Sequence, residues 1–142
     1  MPEPQPLPAV KMSLRLDFSP GGRLGPGKIA LLEAVAETGS ISGAGRAMAM
    51  SYRRAWLLID DLNRMFRTPL VEAQPGGARG GGAELTPLGR EVVAHYRAIE
   101  SKALKAGGLH IEALQALIDP EADTSRPSSQ AGSGTADIRD SS

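Results

Sequence analysis

The stretch GSISGAGRAMAMSYRRAWLLIDDLNRMF, residues 39–66, decides how the rest of the chain is read. It holds two helical patterns with almost nothing between them. Ser40 or Ser42 stands where a side-chain oxygen can accept from an orphan N–H at a helix start. The short helix runs through Ala44, Ala47 and Met48. Its small residues Gly43, Ala44, Gly45 and Ala47 let another helix approach closely. Only Ala49 and Met50 separate it from Ser51, the expected cap of a longer helix over 52–66. On that helix Ala55, Ile59, Leu62 and Phe66 share one face at 4-3-4 spacing. Arg53, Arg54, Leu57, Asp61 and Arg64 lie away from that face, with Tyr52 and Trp56 on a flank. A short helix, a tight turn and a longer helix make a helix–turn–helix pattern.

Upstream, KMSLRLDF (11–18) alternates, with Met12, Leu14, Leu16 and Phe18 on one side, and predicts a half-buried strand. SPGGRLGPG reads as a loop. Pro26 suits a first helical turn, where its missing N–H costs nothing. Ile29, Leu32, Val35 and Ala36 form the expected inner stripe, and Gly39 is a natural stop. Downstream, Thr68-Pro69 ends the long helix. PLVEA is a short strand, a glycine-rich loop follows, and AEL returns. Thr86 caps a further helix with Pro87 at its first position. That helix carries Leu88, Val92, Tyr96, Ile99 and Ala103 at 4-4-3-4 spacing. Gly107-Gly108 interrupts it before a second apolar segment containing Leu109, Ile111, Leu114, Leu117 and Ile118.

The glycine-rich loop GGARGGGAELT (76–86) invites a nucleotide-binding reading, which fails. A P-loop needs G-x-x-x-x-G-K-[ST] between strand and helix, and no lysine follows these glycines. G-x-G-x-x-G fits no register, and the loop leads into a strand. A hairpin tip carrying Arg79 fits instead. The order strand, three helices, hairpin predicts a winged helix–turn–helix: mainly α with a small β wing (α+β), plus a long C-terminal dimerisation helix. The expected organisation is an arm over 1–10, a DNA-binding domain over 11–106 with its dimerisation helix at 86–106, a short apolar helical extension over 107–118, and a disordered tail over 119–142.

Composition agrees. The chain has no cysteine and no net charge, but residues 11–105 hold 14 of its 16 Lys and Arg against 9 of its 16 Asp and Glu, a balance of +5. A basic body of this kind suits a polyanion. No apolar run approaches the roughly 20 residues that span a bilayer, and the N-terminus lacks signal-peptide features. A cytoplasmic protein without membrane contact is expected. Nothing forms a metal site or a nucleophile–base set; no enzyme activity, cofactor or metal is expected.

A long helix with basic residues in its first turn suits the major groove of double-stranded DNA. Ser51 and neighbouring backbone N–H groups can hold a phosphate. Arg53 and Arg54 can pair with guanine or clamp phosphates. Tyr52 leans to a phosphate through its hydroxyl, whereas Trp56 suits helix packing and DNA contact equally.

These residues also carry a resemblance. GSIS, MSYRRAW, PLVE, the glycine wing and LTPLG, in that order, resemble the N-terminal DNA-binding domain of the molybdate-dependent transcriptional regulators of the ModE type, over roughly residues 12–105. More distantly the domain is similar to the winged helix of LysR-type regulators. The resemblance implies a homodimer on an inverted-repeat operator of genes for molybdate transport or molybdenum enzymes. Ser51, Tyr52, Arg53, Arg54 and Trp56 become its recognition residues and Arg79 its wing residue. The fourth helix, through Leu88, Val92, Tyr96 and Ile99, becomes its dimer seam. Full-length members continue into molybdate-binding β-barrel repeats, where this chain continues in a polar stretch. A DNA-binding member without its own sensor is therefore expected. The rival reading is a protein-interaction module forming mixed dimers with a full-length regulator.

Overall fold

The computed structural model describes residues 10–75 and 81–121. Arg79, nearly all of the expected arm and most of the expected tail lie outside those residues. The elements are β1 (Leu16–Phe18), β2 (Gly22–Leu24), α1 (Pro26–Thr38), α2 (Ile41–Ala47), α3 (Tyr52–Met65), β3 (Val71–Gln74), β4 (Gly82–Leu85), α4 (Pro87–Ala106) and α5 (Gly108–Leu117). The strands make two separate antiparallel hairpins, with Leu16 opposite Leu24 and Val71 opposite Leu85. The fold is mainly α with a small β wing, as the order of sequence patterns predicts.

Helix ends follow their local chemistry. Ser40, not Ser42, caps α2, its Oγ accepting from Gly43 N at 2.9 Å. Thr86 caps α4 through Gly89 N at 3.0 Å, with Pro87 in the first turn. Gly39 closes α1 at φ 76°, a left-handed conformation that favours glycine.

Two expectations at the N-terminal end need correction. The strand expected over 11–18 is paired only over Leu16–Phe18, and its partner β2 lies inside the segment read as a loop. Three residues are too few to show a period. Phe18, expected inside, is 49% exposed, because it sits opposite Gly22 at the end of a two-stranded hairpin. Ala36 is likewise exposed, whereas Leu31 and Ala34 are buried beside Ile29, Leu32 and Val35. Helix α1 packs against α2, α3, α4 and β4 at once, so its buried surface is wider than a single stripe.

The core of residues 9–107 gathers these α1 side chains with Ala44, Ala55, Ile59, Leu62, Leu70, Val71, Ala83, Leu85, Val92 and Tyr96. That membership includes part of the α4 row. Val92 and Tyr96 are 8% and 1% exposed within a single chain, and Leu88 packs against the same core. Their apolar surface is already used by their own domain. Of the four residues assigned to a dimer seam, Ile99 alone is exposed, joined further along α4 by Leu104.

Tyr96 also donates its hydroxyl hydrogen bond to the Leu14 carbonyl, tying α4 to the segment before β1. Burial, with the Glu100 carboxylate nearby, pushes its phenol above the ordinary tyrosine range. The next residue, Arg97, grips Glu33 on α1 with Nε at 3.0 Å and Nη2 at 2.6 Å, and Glu100 with Nη1 at 2.7 Å. These bonds hold its pKa above the ordinary arginine value. Helix α5 falls in a second unit and buries none of its residues; Leu109, Leu114 and Leu117 are exposed.

Candidate nucleic-acid interface

The turn between α2 and α3 is held by backbone bonds. Met50 N donates to Gly45 O at 2.9 Å and Ala49 N to Arg46 O at 3.1 Å. Ala49 takes φ 55°, a left-handed conformation that costs a non-glycine residue roughly 1–2 kcal/mol. Ser51 then caps α3, its Oγ accepting from Arg54 N at 3.1 Å. That bond engages the Ser51 side chain in starting the helix.

At about 100° per residue, Arg53 and Leu57 lie across α3 from the core residues Ala55, Ile59 and Leu62. They form the outward ridge. Arg53 and Arg54 are exposed, and their guanidinium groups have no hydrogen-bond or ion-pair partner among the described residues. Arg64, about three turns further along the same ridge, is held by Asp60 at 3.0 Å. The free cations of α3 are thus in its first turn, where a recognition helix meets base edges. Ser51, Arg53, Arg54, Leu57, Leu58 and Asp61 border a shallow cleft of about 290 Å³ here.

Tyr52 and Trp56 go elsewhere. They are 57% and 46% exposed and face a cleft of about 360 Å³ between α3, the start of α2 and the β3–β4 hairpin. Trp56 therefore does not fill a helix–helix contact; its ring lines an open cleft with Ser40, Ser42 and Gly82. Five of the six proposed contact residues share one end of α3, and Arg79 falls outside the described residues.

Asn63 was not singled out from sequence, yet it positions the wing. Its Oδ1 accepts from Leu70 N at 2.8 Å and Val71 N at 3.1 Å, and its Nδ2 donates to Val71 O at 3.3 Å. The available signal was an asparagine, a weak helix former, in the last turn before Thr68-Pro69. On the other strand, Ala83 N donates to Gly39 O at 2.8 Å. Asn63→Ala strands two backbone N–H groups and is expected to cost about 1–3 kcal/mol. Thermal melting checks this: a fall of several degrees is expected, with Asn63→Asp, which keeps the acceptor, falling less. An unchanged melting temperature in Asn63→Ala would show that the wing is not held this way.

The fold and this arrangement define a winged helix–turn–helix DNA-binding domain, a class distinct from enzymes. Residues 27–90 match the bacterial regulatory helix-turn-helix protein, lysR family. This segment is similar to the helix–turn–helix domain of LysR-type regulators. The chain is 46% identical over 85 residues to the molybdenum-pterin-binding protein MopB of Rhodobacter capsulatus, covering 60% of this chain and 32% of MopB. It is 43% identical over 105 residues to MopA of the same organism, covering 74% and 38%. It is 39% identical over 99 residues to the transcriptional regulator ModE of Yersinia pestis, covering 66% and 38%. The chain thus spans about a third of the length of these relatives. Among the described residues no helix is long and apolar enough to cross a membrane, and no acidic or histidine cluster could hold a metal.

Proposed function

We propose that this chain is a transcriptional regulator that binds an inverted-repeat operator as a homodimer. Each subunit places α3 in a major groove, and the regulated genes serve molybdate transport or molybdenum enzymes. The observation that carries this reading is the pair of unpartnered arginines in the capped first turn of α3. The names of the relatives, regulatory in one case and molybdenum-pterin-binding in two, support the choice of genes. Ile99 and Leu104, exposed along the second half of α4, supply apolar surface for a seam between copies. Two recognition helices then sit about 34–36 Å apart, one DNA turn.

The test is binding of purified protein to duplexes from its own and neighbouring promoters, under excess non-specific competitor, with and without molybdate. Sedimentation gives the oligomeric state in parallel. Sequence-selective binding by a dimer is expected. Folded, dimeric protein that selects no duplex would overturn the proposal and favour mixed dimers with a longer regulator.

A further inference from the structure

The β1–β2 hairpin comes near α3, with Gly22 next to the Met65 side chain. Arg54 follows Tyr52 by two residues and Leu58 follows Trp56 by two, so each pair is about 200° apart around the helix. Tyr52 and Trp56 face the wing cleft, whereas Arg54 and Leu58 face a groove of about 280 Å³ bordered by the first hairpin and the start of α1. Four cations from four elements or their flanks meet there: Arg15 before β1, Arg23 in β2, Lys28 in α1 and Arg54 in α3. Two carboxylates lie near them: Asp17, 3.0 Å from Arg15 Nε and 3.8 Å from Arg23 Nε, and Asp61, which borders a cleft with Arg54 and another with Lys28. Lys28 Nζ donates to the Arg23 carbonyl at 3.0 Å, which leaves its charge uncompensated. The Arg54 guanidinium has no partner among the described residues. Four cations against these two carboxylates leave a formal excess of two positive charges around the groove. Its arginines are open to solvent, Arg15 at 58% and Arg23 at 71% side-chain exposure.

Like charges gathered around a small groove repel one another. An anion from outside turns them to use. Arg54 identifies it, because it borders both this groove and the cleft of Arg53 at the reading end of α3. The groove continues the recognition surface.

We propose that the β1–β2 hairpin is a second wing: Arg15, Arg23, Lys28 and Arg54 clamp a backbone phosphate of the bound duplex, on the flank of α3 opposite the β3–β4 hairpin. This inference rests on the DNA-binding reading above. Phosphate contacts position a protein without reading sequence. The loss expected on removing them is therefore uniform across sequences and visible in the salt dependence.

The experiment compares the full chain with Arg15→Ala/Arg23→Ala and with Asp17→Asn, on the selected operator and on a scrambled duplex, over a range of salt. The double variant is expected to weaken on both duplexes by the same factor. Its log Kd against log salt slope should fall by about one per arginine removed. Asp17→Asn, which releases both arginines, is expected to tighten binding to both duplexes. Unchanged affinity and slope in both variants, with selective binding by the parent chain, would overturn the second wing and leave the regulator reading standing. Loss confined to the operator would also overturn it, since that is the signature of a base contact. A parent chain that binds no duplex would overturn both.

Discussion

Gly89→Ala is expected to lower the melting temperature by roughly 8–30 °C. A Cβ at position 89 would lie 2.3 Å from the Leu70 carbonyl oxygen and 3.1 Å from its carbon. Neither side can give way easily. Leu70 N is bound by Asn63, and Leu70 O accepts from Thr86 N at 2.9 Å. Gly89 itself donates to Thr86 Oγ1 in the capped first turn of α4. To admit a methyl group, α4 must back away from the wing base. Such overpacking costs typically 1–3 kcal/mol, and weakened hydrogen bonds add about 1 kcal/mol each. Better helix propensity returns less than about 1 kcal/mol. The net loss is about 2–4 kcal/mol, and each kcal/mol moves the midpoint of a domain this size by about 4–8 °C. Gly27→Ala is the control: nothing lies within 4 Å of its added Cβ, so its melting should stay close to the parent's. If Gly89→Ala also melts with the parent, the close approach of α4 to Leu70 is wrong.

The second large effect concerns the two arginines of α3, which the geometry separates. Arg53 stands on the outward ridge with Leu57, whereas Arg54 borders the β1–β2 groove as well. Arg53→Ala is expected to cost about 1–3 kcal/mol on the operator, with little loss on a scrambled duplex. Arg54→Ala is expected to weaken both duplexes alike and to reduce the salt slope by about one. Titrations of each variant against both duplexes at several salt concentrations decide this. Equal losses on both duplexes for Arg53→Ala would make it a phosphate contact instead.

Much of the fold was legible because its punctuation is chemical. Ser51 and Thr86 cap helices, Pro26 and Pro87 open them, and Gly39 ends one, each for a reason carried by its own side chain or lack of one. The 4-3-4 spacing of α3 likewise gave its buried face directly, because only one side of that helix meets the core. What failed depends on neighbours. A central helix such as α1 buries more than its stripe, so Leu31 and Ala34 went unseen. The apolar row of α4 looks the same whether its own domain or a second copy covers it; Val92 and Tyr96 belong to the former. Strand β2 is three residues long and hides in a run of glycines. Asn63 and the Arg15, Arg23 and Lys28 grouping needed tertiary contacts to appear, because the residues they meet are five to 39 positions away in sequence.

The Leu70 carbonyl has a consequence for how such a domain can be altered. It accepts from Thr86 N, lies 3.3 Å from Thr86 Oγ1 and is backed by Gly89, while Thr86 Oγ1 also donates to Pro69 O at 2.8 Å. The two feet of the hairpin are thus stapled to each other and to α4 below the strands. Lengthening the tip then adds only the slowly growing entropy of a longer loop, roughly 0.6 kcal/mol per doubling. The hairpin is a cassette: its reach can be retailored by grafting while the body that carries α3 keeps its stability.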